Sequence, residues 1–506
     1  MSQQLAAIIC LNYKCNAAPS TNNFGMAVVL AFLSFLPNIL VATPPHSSHP
    51  RQLTQLEDRL VFTATTSQSG EEIWITDGSV TGTVQLRDIR PGLLSSEPKI
   101  VAQTGRFVYF IADSGSTERA LWRTDGTLEQ TTTVLPLDRN SKVLAAEVTT
   151  ETLYLVHEIP TAGRWLLALQ MADLSTTNIT RSDGGKLLLP SKPELVAISD
   201  SIVFAATSAT TQPTALWRTP ADKNHSLAGN AIKLESHASR PRSLLAYRNW
   251  LFSAADLDKT VGALLSLELA ESTTTTNVLS ETSISLVTEP EDFTVCEGQL
   301  LFRGQSRAAG AELWRTSVDT SGTTLVKDIE PGSAGSDPQE LTIDRSTCYF
   351  TALTGASRQL WKIDVGYYET SGSTWKKVEA KPLHLSDASG SSISPITVIT
   401  TTTMLSDPRG TEAVGDITPF KSAVYFTATN PSSPTAGKAL FSYDQLTGSV
   451  QQVPDTQALL SPAYLTVVGD SLYFTAFDSS VGRELWRLHA GRIELVKNIA
   501  WESGEQ

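Results

Sequence analysis

The sequence contains few residues of the kinds that usually carry chemistry. It has four cysteines, four methionines and seven histidines in 506 residues. The histidines are scattered, and none is spaced as the H-x-x-x-H or H-E-x-x-H pair of a zinc site. The D-x-D-x-D-G calcium loop, the Walker A motif, G-x-G-x-x-G and G-x-S-x-G are also absent. The sequence therefore predicts no catalytic, cofactor-binding or metal-binding residues.

The four cysteines do not form a disulfide framework. Cys10 and Cys15 lie in the N-terminal segment, which leaves Cys296 and Cys348 for the remaining chain. A disulfide between these two stays open if the protein is exported, because disulfides persist in oxidising compartments. Buried free thiols are the favoured interpretation.

Charged residues are scarce and mostly acidic. They make up 18% of the chain, whereas apolar residues make up 41%, which is ample for a core. Lys14 is the one charge in residues 1–43, so the remainder holds 38 basic and 52 acidic side chains, a net charge of −14. Proteins that bind nucleic acid or anionic membranes need a basic face. This balance argues against both as the main partner, although a local basic patch stays open.

The N-terminus has the pattern of a targeting segment. Ala27–Leu36 is a ten-residue apolar run, followed by small residues, as in a secretory signal. Pro37 interrupts this run, and a membrane-spanning helix needs about 20 apolar residues. We therefore expect residues 1–43 to be a targeting segment, with Met26 as a possible true start, and residues 44–50 to be a linker. The mature protein would be secreted or at the cell surface, without a membrane span.

A repeat follows this segment. An aromatic-rich strand such as Leu472-Tyr-Phe-Thr-Ala476 precedes a strand such as Glu484-Leu-Trp-Arg487 nine times, at intervals near 48 residues. The second strand places an aromatic residue or leucine in step at Trp74, Trp122, Leu167, Trp217, Leu265, Trp314, Trp361, Phe441 and Trp486. Most of these spacings lie between 45 and 50, with an exception of 80 between Trp361 and Phe441. A fixed period in this range is typical of solenoids and propellers.

Each repeat unit has the composition of four short strands. The segments are rich in Val, Ile, Tyr, Phe, Trp and Thr and are joined by turns rich in Gly, Asp and Pro. The dipeptides Asp77-Gly78 and Asp125-Gly126 suit a type I′ hairpin turn. We predict an all-β chain that forms one β-propeller of four-stranded antiparallel blades over residues 51–500, with nine units and eight as the alternative. Residues 501–506 would be a tail.

The repeat also bears on how the blades pack and how the ring closes. The aromatic residues of the second strand, called the Trp series below, would pack between adjacent blades. The ring has two modes of closure that the sequence does not separate: each blade is contiguous if its first strand is innermost, whereas the N-terminal strand completes the last blade if that strand is outermost.

Four units resemble the bacterial E-L-W-x-x-D-G-T repeat family, whose members are large exported proteins with propeller-like models. The matching segments are Ile73–Gly78, Leu121–Thr127, Glu312–Thr316 and Glu484–Arg487. A companion motif, V-K-D-I-x-P-G-x-x-S-S-x-P, matches Leu86–Pro98 and Val326–Pro338. The resemblance implies a fold and an exported context, and it transfers no catalytic residues.

Within the companion motif, Asp88 and Asp328 are followed four residues later by Gly92 and Gly332. We expect the aspartates to accept hydrogen bonds from nearby backbone N–H groups and so to fix a turn. Residues 380–413 do not fit the period and are predicted to be an insertion. It is either an excursion from the rim or a loop that contacts a ligand.

Two functions from different classes remain. The first is an exported, non-enzymatic propeller in adhesion, matrix building or recognition, a monomer with an unidentified protein or glycan partner. The second is a hydrolase or lyase with acidic residues at the mouth of the central channel, because acids from different blades leave no linear motif and a fold does not dictate a function.

Overall fold

The structure is a computed structural model. It describes residues 46–115, 119–220, 230–257, 260–270, 278–317, 323–371, 374–378, 397–404, 412–429 and 437–501. The predicted targeting segment, Cys10, Cys15, most of the predicted insertion and residues 502–506 lie outside these ranges. The described residues form β-strands joined by turns, with a 3₁₀ helix at Ile499–Trp501 and no α-helix. The all-β prediction is confirmed.

Units 1 to 3 each form a four-stranded antiparallel sheet. Their strands are β1 (Arg51–Leu56), β2 (Arg59–Thr66), β3 (Gly70–Thr76), β4 (Val84–Arg87), β5 (Lys99–Gln103), β6 (Val108–Asp113), β7 (Arg119–Thr124), β8 (Thr132–Leu137), β9 (Lys142–Val148), β10 (Thr152–Ile159), β11 (Gly163–Gln170) and β12 (Thr176–Asn178).

Units 4 to 6 depart slightly from this pattern. Their strands are β13 (Thr180–Arg181), β14 (Leu195–Ile198), β15 (Ser201–Ala206), β16 (Ala215–Arg218), β17 (Asn230–Lys233), β18 (Ser239–Tyr247), β19 (Trp250–Leu257), β20 (Thr260–Leu269), β21 (Val278–Cys296), β22 (Gln299–Ser306), β23 (Gly310–Ser317) and β24 (Thr324–Lys327). In unit 4, β13 adds a parallel fifth strand beside β17. Strand β21 pairs with β20 through its first half and with β22 through its second half, so it serves both unit 5 and unit 6.

Units 7 to 9 complete the chain. Their strands are β25 (Gln339–Asp344), β26 (Thr347–Thr354), β27 (Ser357–Ser371), β28 (Thr374–Val378), β29 (Thr397–Met404), β30 (Glu412–Phe420), β31 (Ala423–Thr429), β32 (Lys438–Asp444), β33 (Val450–Gln452), β34 (Leu460–Val468), β35 (Ser471–Asp478), β36 (Gly482–His489) and β37 (Arg492–Lys497).

The nine units within residues 46–501 form a closed β-propeller. The first strand of each unit contacts the first strand of the next, in the cycle β1, β5, β9, β14, β18, β21, β25, β30, β34 and back to β1. A buried apolar cluster lies between each consecutive pair of units, including units 9 and 1. The first strands are therefore innermost, and each blade is contiguous.

The second strand of each repeated pair is the third strand of its blade. The Trp series therefore lies on the third strand, and it packs against the preceding blade. Trp74 and Phe62, for example, share a cluster with Leu485 and Val496 of unit 9. The aromatic members at positions 74, 122, 217, 314, 361 and 441 are buried, and Trp486 is half-buried. Each aromatic residue of the series lies opposite a phenylalanine of the second strand, as in the pair Phe350 and Trp361. These rings fill the spaces between blades.

The predicted insertion at 380–413 has different boundaries in the structure. Strand β29 falls within this stretch, yet it pairs with residues 361–368 of β27 and takes the place of the fourth strand of unit 7. Strand β27 continues beyond a normal blade strand and forms a hairpin with β28. The extra length therefore lies between the third and fourth strands of one blade. The period alone does not show this, because the Thr-rich β29 is separated from β27 by the extra residues and pairs with it only in the folded blade.

We predict that Trp314→Ala lowers the free energy of unfolding by roughly 3–5 kcal/mol, the usual cost of deleting a buried aromatic side chain. Trp314 packs against Phe252 and Leu264 of the preceding blade, so the substitution opens a cavity between two blades. Urea unfolding measures the change. Leu446→Ala is the control, because Leu446 is 86% exposed. A change below about 1 kcal/mol at Trp314 would contradict this packing role.

Candidate functional site

The Asp-Gly dipeptides begin loops that are longer than predicted. Strand β3 ends at Thr76 and β4 begins at Val84, so the connection has seven residues and is not a two-residue type I′ turn. Asp77 Oδ1 accepts a hydrogen bond from Ser79 N at 2.8 Å, and Gly78 has a φ of 91°. The hydroxyls of Thr76 and Thr83 bond to each other at 2.7 Å and close the loop. Unit 2 repeats this geometry with Asp125, Gly126, Thr127, Thr124 and Thr131.

The aspartates of the companion motif contribute little to the turn. Asp88 and Asp328 are both exposed, and Asp88 Oδ2 accepts from Gly92 N only at 3.5 Å. Gly92 and Gly332 adopt φ values of 100° and 110°, which favour glycine. The expected turn exists, but its main acceptor lies elsewhere.

That acceptor is Glu72, two residues before Trp74. Its side chain is fully buried. Its carboxylate accepts hydrogen bonds from the backbone N–H groups of Ile89 and Ser96 at 3.2 Å each and from the Ser96 hydroxyl at 2.6 Å. The linker between blades 1 and 2 thus folds around one carboxylate. In unit 6 Glu312 does the same, accepting from Glu330 N at 3.1 Å, Ser336 N at 2.9 Å and Ser336 Oγ at 2.6 Å.

The third such glutamate, Glu484, closes the ring. It accepts from Ser48 Oγ at 2.5 Å, and from Ile499 N and Ala500 N at 3.3 Å each. The linker around it is therefore split: one half follows the last strand, and the other half precedes the first strand. Within residues 46–501 no strand is exchanged between blades 9 and 1, because this divided linker joins them.

These glutamates were missed in the sequence, although a signal for them exists. Ser47-Ser48-His49-Pro50, within the segment expected to be a linker, repeats Ser95-Ser96-Glu97-Pro98. Glu stands two residues before Trp in units 1, 6 and 9, and the linker after each of these units ends in Ser-x-Pro; the linker after unit 4 has the same motif at Ser239–Pro241, but with Ala215 at the Glu position. Pairing these two positions across the repeat would have identified the contact.

Burial and hydrogen bonding act in opposite directions on these carboxylates. Desolvation raises the pKa of Glu72 and Glu484 to about 7, while the hydroxyl and backbone donors oppose the shift. The same causes raise the pKa of Glu312. The desolvation effect is the larger one at all three sites.

The mouth of the ring is built by a recurring irregularity of the inner strands. In several blades the first strand has one or two register shifts, and at the equivalent position of each a residue adopts a positive φ. These residues are Gln52, Ser243, Asp292, Glu340, Asp416 and Tyr464. In five of the six blades a proline precedes this residue by two positions, which fixes where the inner strand begins.

Some mouth side chains join neighbouring inner strands. Gln52 accepts from Ile100 N at 2.8 Å and donates to Pro98 O at 2.8 Å. Glu340 Oε2 accepts from Ile417 N at 3.4 Å, a longer contact of the same kind. Partial desolvation raises the pKa of Glu340, and the charge of Asp416 adds to this effect.

Two adjoining cavities lie at the mouth between units 7, 8, 9 and 1. The first, of about 450 Å³, is lined by inner strands and includes Glu340, Asp416 and Tyr464. The second, of about 460 Å³, includes Asp416 and Tyr464 again, together with Lys438 and Arg483. Tyr464 is 50% exposed. The two cavities therefore share an acid and an aromatic ring, with cations on one side.

A third cavity, of about 410 Å³, lies between units 4 and 5. Its charges are largely neutralised within the protein. Arg242 pairs with Glu289 at 2.7 Å and with Asp256 at 3.4 Å, and Arg240 also pairs with Asp256. The ion pairs favour a structural role for this cluster.

Other predicted features can be placed as well. Cys296 and Cys348 are both free and buried, in the core between units 6 and 7. Among the described residues, no three His, Cys, Asp or Glu side chains are grouped to hold a metal ion. Likewise, no helix in the described ranges is long and apolar enough to cross a membrane.

No protein-family model and no curated protein matches the chain. Solved structures do match. A prolyl endopeptidase matches with 11% identity and a TM-score of 0.41 over 75% of this chain and 53% of the enzyme, so the chain spans about half of that protein. The WD40 domain of SCAP from fission yeast matches with 9% identity and a TM-score of 0.39, over 90% of this chain and 98% of that domain. The β-propeller domain of the Trilobed protease from Pyrococcus furiosus matches with 10% identity and a TM-score of 0.33, over 72% and 99%. These likenesses concern the fold.

We predict that Glu484→Ala destabilises the ring by about 2–4 kcal/mol. Ser48, Ile499 and Ala500 would lose their shared acceptor, and leaving buried donors unsatisfied costs about 1–3 kcal/mol for each group, less where water enters. Urea unfolding measures the loss, with Glu129→Ala as the control because Glu129 is exposed. Equal stabilities of the two variants would contradict the role of Glu484 in closure.

We also predict that stability falls as the pH rises from about 4.5 to about 7. In this window the folded state retains protons on Glu72 and Glu484 that the unfolded state has released, so raising the pH favours unfolding. At about 1.4 kcal/mol per pKa unit, each site contributes on the order of 3 kcal/mol. The loss is complete about one pH unit above the folded-state pKa, and beyond that the contribution is constant. Unfolding curves at pH 5, 6, 7 and 8 test it, and a Glu72→Gln, Glu484→Gln double variant with an undiminished slope would argue against it.

Proposed function

We propose that this chain is an exported, non-enzymatic propeller that recognises a protein or glycan at its channel mouth, in adhesion or matrix assembly. The observation that carries the proposal is the pair of adjoining cavities that share Asp416 and the half-exposed Tyr464. Tyrosine and arginine are enriched at recognition surfaces because they combine apolar contact with hydrogen bonding. The mouth offers both, with charged groups of each sign around them.

The sequence supports the exported context of this proposal. The apolar run Ala27–Leu36 has the pattern of a secretory signal. Membership of the E-L-W-x-x-D-G-T repeat family is part of the same proposal, resting on the motif segments of units 1, 2, 6 and 9. The hydrogen bonds of Glu72, Glu312 and Glu484 give a physical reason why glutamate stands at that position of the repeat.

A second candidate is a hydrolase or lyase that uses acids at the mouth. Asp292, Glu340 and Asp416 occupy equivalent positions on the inner strands of units 6, 7 and 8. Desolvation raises the pKa of Asp292 and Glu340, as a general acid requires. Glu340 nevertheless bonds to the backbone of the next blade, which favours a structural role for this acid.

The full chain is expected to bind a cell-surface protein or glycan saturably and to turn over no glycoside, ester or peptide substrate. Binding to immobilised ligands and product formation are measured on the same preparation. Glu340→Gln and Asp416→Asn serve as matched variants, because they keep size while removing charge. Reproducible turnover by the wild type that either variant abolishes would overturn the proposal in favour of the enzyme.

A further inference from the structure

In units 7, 8 and 9 the residue three positions before the Trp-series residue is a cation: Arg358, Lys438 and Arg483. In unit 7 this cation has an acidic partner: Arg358 Nη2 pairs with Asp337 Oδ2 at 2.9 Å. Asp337 is the residue before Pro338, where the inner strand begins. Arg303 of unit 6 also pairs with Asp337, at 2.7 Å. The cation of unit 7 is therefore neutralised by the linker of its own blade.

The next two blades lack that acid. The equivalent linker position is Ala413 in unit 8 and Ser461 in unit 9. Arg483, the counterpart of Arg358, donates to Ser461 O at 3.0 Å and to Thr475 Oγ1 at 3.4 Å. Neither Arg483 nor Lys438 forms an ion pair within the described part of the chain. Two cations thus line one cavity without the counterpart of Asp337, the partner of Arg358 in unit 7.

Acceptors lie beside these cations. A β-carbon placed on Gly415 would lie 3.2 Å from Glu340 Oε1 and 3.3 Å from Lys438 Nζ. The missing side chain therefore leaves both polar groups facing the same space. Asp416, the next residue, lines both cavities. A ligand there meets donors and acceptors at once.

Tyr464 supplies the apolar surface of this site. It is the aromatic member among the positive-φ residues of the inner strands, with a φ of 58°. A bulky side chain in this region is strained, and glycine or asparagine would occupy the position at lower cost. The ring is half-exposed beside Pro50 and Pro462 rather than packed into the core. Core packing of the Tyr464 ring therefore does not compensate for the backbone strain.

We propose that the cavity formed by Tyr464, Asp416, Lys438 and Arg483 binds a saccharide, with one sugar ring stacked on Tyr464. This inference rests on the proposed recognition function and names its ligand. Each sugar hydroxyl is both donor and acceptor, so it can donate to Asp416 or Glu340 while it accepts from Lys438 or Arg483. A peptide amide group offers only one of the two roles at each atom. A cavity of about 460 Å³ accommodates a small ligand of this size.

The experiment uses the full chain and isothermal titration with neutral hexose oligosaccharides and uronate-containing oligosaccharides. Tyr464→Gly removes the ring while relieving the positive-φ strain, so it should keep or raise the thermal stability. It should lower saccharide affinity by at least about 10-fold, in the range expected when a stacking aromatic is lost. Ser243→Gly is the matched control, because Ser243 has a φ of 54° at the equivalent position of unit 5. It should leave the affinity unchanged.

Lys438→Met tests the polar half of the site. It keeps the length of the side chain and removes the donor, and we expect a loss of about 5-fold or more in saccharide affinity. The uronate oligosaccharides should lose more than the neutral ones, since their carboxylate gains most from a cation.

The outcomes separate this inference from the proposed function. Saccharide binding that Tyr464→Gly leaves unchanged would overturn the site. Binding of a cell-surface protein without binding of any saccharide in the panel would overturn the inference and leave the recognition function standing. Catalytic turnover of the oligosaccharides would overturn the recognition function itself.

Discussion

The structure depends on the contact between the Trp series of each blade and the blade before it. A four-stranded blade has two apolar faces and buries neither alone, so every blade needs a neighbour on both sides. Units 1 and 9 meet the same requirement, because Phe62 and Trp74 would otherwise face water opposite Leu485 and Val496. Closure of the ring follows from this constraint. The split linker around Glu484 holds blades 9 and 1 together, so that no strand exchanged between these two blades is needed to close the ring.

Burying three carboxylates has a physical reason in the linkers. A chain that leaves one blade and enters the next turns sharply and exposes several backbone N–H groups that no strand can satisfy. Glu72 gathers the N–H groups of Ile89 and Ser96 at one point, and burial there raises its pKa to about 7. Burying the carboxylate costs free energy, but its hydrogen bonds to donors that would otherwise be unpaired offset this cost. Positions where Ala replaces Glu, such as Ala120 and Ala439, lack this acceptor.

The period and strand composition sufficed to predict the all-β propeller, its nine units and the strands of its clearest copies. They did so because interblade packing demands the same residue types at the same positions in each unit. The aspartates beside glycine have the pattern of turn-forming residues, whereas the acceptor that organises the linker is Glu72, which is buried in an apolar strand. The mouth could not be predicted, because Glu340, Asp416 and Tyr464 come from separate blades and meet only once the ring closes.

Function in a repeat fold is best sought where one unit departs from the others. The linker aspartate that neutralises Arg358 is replaced by Ser461 in unit 9, and the cation remains as Arg483. The inner-strand position that carries Gln52, Ser243, Asp292, Glu340 or Asp416 in other blades carries the aromatic Tyr464 in the same unit. Packing explains neither change, since both residues lie at a cavity and not in a core. Two departures in one blade, each adding a group that a ligand could contact, are more economically explained by binding than by two unrelated losses of the repeat.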